Sequence, residues 1–299
     1  MAKYDAMGDR VQRRVPIAVW IMLLGLIISI VGVIWCVNTD LKKYIKSENL
    51  SKVQEISDIK DLEFEFDSST IDISRSSDNN IHVEIENAPE GVYKFDAQDG
   101  KFSIHRKKFV SLIKWSGISN IPFLKDIYPQ AKISVKIPDG QYGKISIKNT
   151  AGDLTITDAL SCEEIEIDNG VGKLTANGIK ANRSEIDNGV GEVTLKNCDL
   201  GDADVDNGVG EVSITDSTLK KTELDNGVGE INLSAEVNGD MDIDNGVGDI
   251  QIKLKGDAQD YKFKGDDDGV KIKGSKDSDD AKYKVKLDNG LGDIKIEFE

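Results

Sequence analysis

Carboxylates recur at fixed spacing through the second half of this 299-residue chain and are its most distinctive chemical feature. An aspartate begins each D-N-G-V-G motif, and an acidic residue follows five positions later in most copies. Carboxylates stacked about 5 Å apart repel one another, and Ca²⁺, which prefers oxygen ligands, would relieve that repulsion. The residues of these rows that could hold Ca²⁺ are Asp187, Glu192, Asp206, Glu211, Asp225, Glu230, Asp244 and Asp249.

A structural interpretation of the same rows competes with calcium binding. Asp and Asn favour turns because their side chains hydrogen bond to nearby backbone groups, and a row of Glu is typical of a solvated face. The 19-residue spacing also differs from the nine-residue repeat of calcium β-rolls, and each period lacks the second glycine-rich turn of that repeat. We therefore expect no metal and no other cofactor, with Ca²⁺ as the alternative.

Catalytic chemistry has little support in this sequence. The chain contains two histidines, His82 and His105, and the repeats contain a single arginine, Arg183. Every repeat carries the same carboxylates, so no position stands out as an acid with a raised pKa. Residues 143–260 lack Phe, Tyr and Trp, the usual platforms on which sugars stack. We predict no catalytic residues and no enzyme activity, and a polysaccharide-cleaving β-helix is the weakest of the three hypotheses.

The elements that position the carboxylates follow from an internal repeat. D-N-G-V-G occurs five times with a strict 19-residue period, and D-N-G-L-G returns near the C-terminus. Apolar and polar residues alternate within each repeat, which predicts strands with one buried face. Antiparallel hairpins give no reason for a fixed period, whereas coils stacked about 4.8 Å apart superpose identical side chains. We predict an all-β fold, a β-solenoid (β-helix) with 19-residue coils. The motifs begin at Asp168, Asp187, Asp206, Asp225, Asp244 and Asp288.

Alignment of the repeats predicts four apolar columns inside the solenoid. In the first repeat they are represented by Ile167, Val171, Leu174 and Ala176. The alternation changes parity between the second and third columns, so we expect a corner near Gly172, where glycine supplies a positive φ. The asparagine of each motif is expected to stack on its equivalents and form a ladder of amide hydrogen bonds along the axis.

Two cysteines in the repeat region, Cys162 and Cys198, are 36 residues apart, which is two residues short of two 19-residue periods. Two coils correspond to about 10 Å, beyond the ~7 Å between Cα atoms that a disulfide can bridge. We expect both to be small core residues and predict no disulfide.

Regular coils are expected over residues 149–299, and looser strands over 61–148 predict irregular N-terminal coils. The spacing of 44 residues between Asp244 and Asp288 suggests one irregular coil between those two motifs. An apolar loop at 107–128 interrupts the N-terminal coils. We expect it to cap the open end of the solenoid or to contact a membrane or a partner. The contact residues would be Phe109, Trp115, Phe123 and Tyr128.

Residues 16–37 form an uncharged apolar run, and a helix of this length spans the ~30 Å hydrocarbon core of a bilayer. The run is longer than the core of a signal peptide and lacks a small-residue cleavage site. Basic residues in the tail at 1–15 favour a cytoplasmic N-terminus and export of the rest. We predict one transmembrane helix, followed at 38–60 by an amphipathic helical stalk or a plain linker.

The net charge of −16 argues against nucleic acid as a partner, because phosphates require a basic face. An acidic exported domain would also repel anionic lipid and anionic polymers unless divalent cations mediate the contact.

Several segments resemble the putative-adhesin family of extracytoplasmic β-strand-repeat proteins, which includes LiaG-like membrane proteins of Gram-positive bacteria. They are F-E-F-D-S-S-T-I-D-I-S, I-S-V-K-I-P, I-S-I-K-N-T-A-G-D-L-T-I and the N-G-x-G-[DE]-[IV] coils, and the resemblance covers roughly residues 60–299. It implies an envelope-facing β-solenoid without established catalysis. We therefore expect a membrane-anchored adhesion or interaction scaffold in the cell envelope, linked to envelope-stress signalling. Its partner would be an envelope component or a membrane protein.

Overall fold

The computed structural model of the chain describes residues 46–107, 130–158, 160–265, 270–272 and 281–299. The predicted transmembrane helix at 16–37, the tail at 1–15 and nearly all of the apolar loop lie outside the described residues. None of the helical segments in the described ranges is long and apolar enough to cross a bilayer. Residues 47–299 form a compact unit with a hydrophobic core of their own.

The described part of the chain consists almost entirely of β-strands. The N-terminal strands are β1 (Ser47–Glu55), β2 (Asp61–Arg75), β3 (Asn80–Pro89), β4 (Tyr93–Gln98), β5 (Lys101–Arg106), β6 (Ala131–Ile137), β7 (Gln141–Ala151) and β8 (Leu154–Ile156). The regular coils contain β9 (Ser161–Val171), β10 (Leu174–Asn177), β11 (Lys180–Val190), β12 (Val193–Lys196), β13 (Asp202–Val209), β14 (Val212–Leu219), β15 (Thr222–Val228), β16 (Ile231–Val237), β17 (Met241–Val247) and β18 (Ile250–Leu254). A 3₁₀ turn (Ala258–Asp260) precedes β19 (Tyr261–Gly265), β20 (Val270–Ile272), β21 (Tyr283–Leu291) and β22 (Ile294–Phe298).

Parallel pairing between successive repeats confirms the predicted all-β solenoid. Leu174 lies opposite Val193, which lies opposite Val212, so partners are offset by one 19-residue period. Each coil contributes one strand to each of two walls. The first wall has the order β4-β5-β2-β7-β9-β11-β13-β15-β17-β21-β19. The second has the order β1-β3-β6-β2-β8-β10-β12-β14-β16-β18-β22-β20.

Strand β2 belongs to both walls because it is long enough to cross from one to the other. Leu62, near its start, lies opposite Ile145 in the first wall, and Ile71 lies opposite Leu154 in the second. Both Leu62 and Ile71 are buried. The apolar residues of the two walls thus face a shared interior that runs the length of the solenoid.

The interpretation of residues 38–60 as a helical stalk or linker is wrong for residues 47–55, which form β1. This strand pairs antiparallel with β3, and Leu50 lies opposite Ile85. Leu50 packs against the core, whereas Val53 is 52% exposed. The apolar residues of this segment are also spaced as in a helix, but pairing with the free edge of β3 makes it a strand.

The second predicted apolar column is also wrong, because its valines face solvent. Val190, Val209 and Val228 are 47–48% exposed, whereas Asn188 at the preceding inward position is 1% exposed. The corner predicted near Gly172 is confirmed, with φ of 141° at that residue. The chain turns at Gly170 and Gly172. Asn169 is therefore the last residue of the strand that faces inward, and Val171 lies on the outside of the corner.

The C-terminal coils are stacked in a different order from their order in the sequence. The sequence predicted an irregular coil between the Asp244 and Asp288 motifs, but β21 pairs directly with β17, and β22 with β18. Strands β19 and β20 pair with the other edges of β21 and β22. The prediction is wrong because the two D-N-G motifs have the same corner geometry, which stacks them on each other and leaves the irregular coil at the end.

Candidate functional site

A ladder of asparagine side chains fixes the corner of every regular coil. The Nδ2 of Asn169 donates to the Oδ1 of Asn188 at 2.8 Å and also to the carbonyl oxygen of Gly172 at 3.2 Å. The pattern runs from Asn149 to Asn289, which confirms the predicted ladder. The amides are inside the solenoid, so every buried donor that finds an acceptor avoids the free-energy cost of an unpaired polar group.

The aspartate of each motif lies one residue before the asparagine and faces outward. Together these residues form a shallow open groove with a volume of about 700 Å³ on the outer face of the first wall. The groove is lined by Asp168, Gly170, Asp187, Asn188, Gly189, Asp206, Asn207, Gly208, Asp225, Asn226, Gly227, Asp244 and Gly246. The predicted aspartate row is therefore brought together as one continuous surface.

The central aspartates of the groove hold their protons more tightly than an isolated aspartate. Partial burial, together with the charges of Asp204 and Asp225, raises the pKa of Asp206 to about 6. The pKa values of Asp187 and Asp225 are raised for the same two reasons. Partial burial and the neighbouring negative charges therefore together disfavour ionisation of these three carboxylates.

A second row of acidic residues runs beside the aspartates, two positions earlier in each strand: Glu166, Glu185, Asp204, Glu223 and Asp242. Lysines contact this row at its two ends, with Lys148 Nζ 2.7 Å from Glu166 and Lys286 Nζ 2.9 Å from Asp242. Between those ends the described residues form one longer ion pair, 3.8 Å from Arg183 to Glu185. The central coils therefore present two adjacent rows of carboxylates with little compensating positive charge.

The glutamates of the alternative calcium site lie in a separate row. Glu192, Glu211, Glu230 and Asp249 follow the exposed valines and do not line the groove. Within the described ranges, these residues and the aspartates supply no group of three ligand atoms within 4.8 Å of one another. The structure thus brings together the aspartates of the predicted set but not its glutamates, and calcium binding stays a prediction.

One group of possible metal ligands was not identified from the sequence. Glu63 and Glu65 on β2 and His105 on β5 have ligand atoms within 4.8 Å of one another. The Nζ of Lys101 already donates to Glu63, and His105 Nδ1 lies 3.6 Å from Glu65. The E-F-E alternation is visible in the sequence, but the histidine reaches it only because β2 and β5 are paired. Since Lys101 and His105 already contact the two carboxylates, this group is a polar cluster between paired strands.

The two described cysteines are both buried and free. They are 2% and 3% exposed, which confirms the prediction that Cys162 and Cys198 are small core residues. Burial raises the pKa of the Cys162 thiol to about 12, so it is a poor nucleophile at neutral pH. The predicted contact residues Phe109, Trp115, Phe123 and Tyr128 lie outside the described residues.

Comparison with solved structures finds similar chains among bacterial proteins. A putative adhesin from Bacteroides fragilis is 15% identical, with 84% of this chain and 98% of that chain covered and a TM-score of 0.42. A putative lipid binding protein from Parabacteroides distasonis is 12% identical, with 84% and 98% covered and a TM-score of 0.47. A putative cell adhesion protein from Clostridium sporogenes is 13% identical, with 85% and 100% covered and a TM-score of 0.28. At these values the similarity carries no argument about function.

No curated protein matches the chain. Residues 59–298 match the family model described as Toastrack DUF4097. That range begins just before β2 and ends within one residue of the C-terminus, so it contains every strand of the two walls except β1. The resemblance inferred from the sequence motifs is thereby confirmed at the level of the family. Because the match spans most of its length, the chain belongs to the Toastrack DUF4097 family.

Proposed function

We propose that the protein is a non-catalytic adhesion or interaction scaffold, displayed outside the cytoplasmic membrane by a single-pass anchor at residues 16–37. The observation that supports this proposal best is the repetition of its exposed surface. An aspartate, a valine and a second acidic residue recur at the same positions in four successive coils, beginning with Asp187, Val190 and Glu192. A surface built from identical units suits a ligand that contacts many coils at once.

The chemistry of the surface also favours binding over catalysis. A catalytic acid or base is one residue whose surroundings set its pKa apart from those of its neighbours. Here the pKa values of Asp187, Asp206 and Asp225 are raised together, because all three belong to one row. Such a row attracts cationic groups along its whole length and offers no single position at which a reaction would occur.

The membrane anchor and the extracytoplasmic location rest on the sequence alone. The apolar run at 16–37 and the basic residues before it predict a cytoplasmic N-terminus with the solenoid outside. The partner would be an envelope component or a membrane protein, and a role in envelope-stress signalling rests on the family resemblance. Nucleic acid is not expected as a partner of a chain with a net charge of −16.

Fusions to two reporters would test the topology. Alkaline phosphatase joined after residue 299 should be active, because that enzyme folds with its disulfides outside the cytoplasm. Green fluorescent protein at the same position should stay dark when exported through the general secretion route. A fluorescent, phosphatase-negative fusion would place the solenoid in the cytoplasm and would overturn this part of the proposal.

Photo-crosslinking in living cells would test the scaffold function. A photoreactive amino acid at Val209, on the corner of a central coil, should give specific adducts with an envelope component. The matched control is the same residue at Val53, an exposed valine of β1 that lies outside the repeats. Equal adducts from both positions, or none from any exposed position of the solenoid, would count against a scaffold.

Calcium binding is the second candidate function, and the raised pKa values of three consecutive aspartates favour it. A divalent cation between coils would relieve the repulsion between neighbouring carboxylates, which adds to partial burial in raising those pKa values. Thermal unfolding in EDTA and then across a calcium titration would test it. Saturable stabilisation by Ca²⁺ that equal Mg²⁺ does not reproduce would support the site, and an unchanged melt at millimolar Ca²⁺ would exclude it.

A further inference from the structure

A row of apolar side chains runs along the outside of the repeated corner. Its members are between 40% and 69% exposed: Val171, Val190, Val209, Val228, Val247 and Leu291. They form one column, because each lies opposite its equivalent in the next coil. We call this column the valine row. An apolar stripe of this length on the surface of a protein typically marks an interaction site.

The turn itself does not require these valines. Gly210 adopts a φ of 142°, and a Cβ at that position would lie 1.9 Å from the carbonyl oxygen of Gly191. A Cβ at Gly208 would lie 2.4 Å from the carbonyl oxygen of Gly189. The two glycines are thus necessary for the corner to stack, whereas the side chain of Val209 between them points to solvent. The corner geometry accounts for the glycines and leaves the repeated valine unexplained.

Carboxylates border the valine row on both sides. In a central coil Asp206 precedes Val209 by three residues, and Glu211 follows it by two. Both are exposed, as are their equivalents in the neighbouring coils, and a further acidic row containing Asp204 lies beyond the aspartates. A partner that covers the valines must therefore bring apolar groups to the centre and positive charges to both edges.

The spacing of the row matches an α-helix better than an extended strand. Neighbouring coils are about 4.8 Å apart, so five intervals extend over about 24 Å. An α-helix advances about 5.4 Å per turn, which differs from the coil spacing by only ~0.6 Å. Alternate residues of an extended strand are about 6.6 Å apart and lose register after one or two coils. A helix of about four or five turns can place one apolar side chain beside each valine.

We propose that the valine row and its two acidic borders dock a basic amphipathic helix of a partner protein. The helix would have one apolar face, with lysines or arginines along both of its edges. This inference rests on the proposed scaffold function and specifies the partner's chemistry. A second copy of the chain would bring its own acidic borders against these, and anionic lipid would be repelled in the same way.

Binding of a designed peptide to the full chain in phosphatidylcholine nanodiscs tests the proposal, with empty nanodiscs as the blank. The peptide is a helix of about 18 residues with a leucine face edged by lysines on both sides. A scrambled peptide of the same composition has the same net charge but no continuous leucine face. We expect the helical peptide to bind at least tenfold more tightly than the scrambled one. Its affinity should fall as the salt concentration rises from about 50 mM to about 500 mM.

Three simultaneous substitutions, Val190→Thr, Val209→Thr and Val228→Thr, test the valine row itself. Threonine keeps the β-branched shape and the strand preference of valine but replaces a methyl group with a hydroxyl. The triple variant should unfold at the same temperature as the wild type and bind the helical peptide at least tenfold more weakly. Val53→Thr, on the exposed face of β1, is the matched control and should leave binding unchanged.

Equal binding of both peptides, or an unchanged affinity of the triple variant, would overturn the proposal. Two other results would also overturn it: dimerisation of the wild type but not of the triple variant, or binding of phosphatidylglycerol vesicles by the wild type but not by the triple variant. Crosslinks formed from Val209 in living cells separate the proposed scaffold function from the proposed docking of a basic helix. Specific crosslinks without helix binding would reject this partner chemistry and leave the scaffold function standing. Absence of crosslinks from the whole solenoid would reject that function too.

Discussion

The Nδ2 of Asn245 donates to the Oδ1 of Asn289 at 3.0 Å, although the two residues are 44 positions apart in the sequence. The remaining asparagine–asparagine hydrogen bonds of the ladder join residues that are 19 or 20 positions apart. The ladder therefore continues across the break in the period, because the last D-N-G motif stacks on the fifth. Two strands from the segment between these motifs, β19 and β20, are excluded from the regular stack and pair with the outer edges of β21 and β22.

Cysteine crosslinking checks this order of the coils. Asp244→Cys with Asp288→Cys should form a disulfide under mild oxidation, because the two positions are direct partners in adjacent parallel strands. Asp225→Cys with Asp288→Cys should not, because those positions are two coils, about 10 Å, apart. Mass spectrometry of tryptic peptides measures both. Absence of a bridge in both pairs would mean that the coils follow their sequence order, because the irregular coil would then separate the Asp244 and Asp288 motifs.

Asn207→Ala should destabilise the solenoid by about 2–4 kcal/mol. The substitution removes two hydrogen bonds of the ladder. The Nδ2 of Asn188 loses its acceptor in the ladder, and the Oδ1 of Asn226 loses its donor, both within the buried interior. Urea unfolding of wild type and variant measures the difference. Asn182→Ala, which removes an exposed hydrogen bond to Glu163, is the control and should change stability by less than about 0.5 kcal/mol. Equal effects at the two positions would show that burial of the ladder contributes nothing.

Gly210→Ala should destabilise the protein by more than about 2 kcal/mol, because the new Cβ adds a steric clash to an unfavourable positive φ. The clash is with the carbonyl oxygen of Gly191, 1.9 Å from the ideal Cβ position. Gly91→Ala separates the two effects, since Gly91 has a φ of 71° and no atom within 4 Å of its ideal Cβ. Thermal and urea unfolding should show a smaller loss at Gly91. A loss at Gly210 no larger than that at Gly91 would contradict the steric account.

Asp206→Asn should stabilise the protein at pH 7.5 by up to about 1 kcal/mol, the energy of two like charges ~4 Å apart in water. The folded pKa of about 6 lies above the ordinary value of 3.8, so the folded state binds a proton more tightly than the unfolded state does. This group therefore stabilises folding less and less as the pH rises from about 4 to about 6. Removing the charge of Asp206 should stabilise the folded protein at pH 7.5 and have little effect on its stability near pH 4.

Urea midpoints at the two pH values measure this difference. Asp216→Asn, at an exposed irregularity of strand β14 outside the groove, is the control for the loss of one exposed carboxylate. Stabilisation of the Asp206 variant that is equal at pH 4 and pH 7.5 would show that repulsion between carboxylates is not its cause.

The period of the sequence was enough to predict the solenoid, the register of the coils from Asp168 to Asp244 and the asparagine ladder. Ile167 and Leu174 were correctly placed inside, because strict alternation on either side of the corner defines the inward face. Val171 was not, since a repeat shows that a position is equivalent in every coil but not which way it faces. Its hydrophobicity suggested burial, whereas the inward place at the corner belongs to Asn169, whose amide is satisfied by the ladder.

The remaining errors concern pairing between segments that are far apart in sequence. Strand β1 has a spacing of apolar residues that fits a helix, and the free edge of β3 that recruits it is 25 or more residues away. The group of Glu63, Glu65 and His105 exists only because β2 and β5 lie side by side. Contacts of this kind depend on the tertiary arrangement, and a single sequence contains no local signal for them.

The asparagine ladder also gives the stack a direction. From Asn149 to Asn245 each amide along it donates toward the C-terminal end, so a coil within the stack has an acceptor on one side and a donor on the other. A new 19-residue unit inserted between two coils meets a matching group on both sides, whatever its position. Duplication of one such unit in the gene would therefore lengthen the protein by about 4.8 Å without redesign of either end. The length of the solenoid is thus a quantity that evolution can adjust in whole steps.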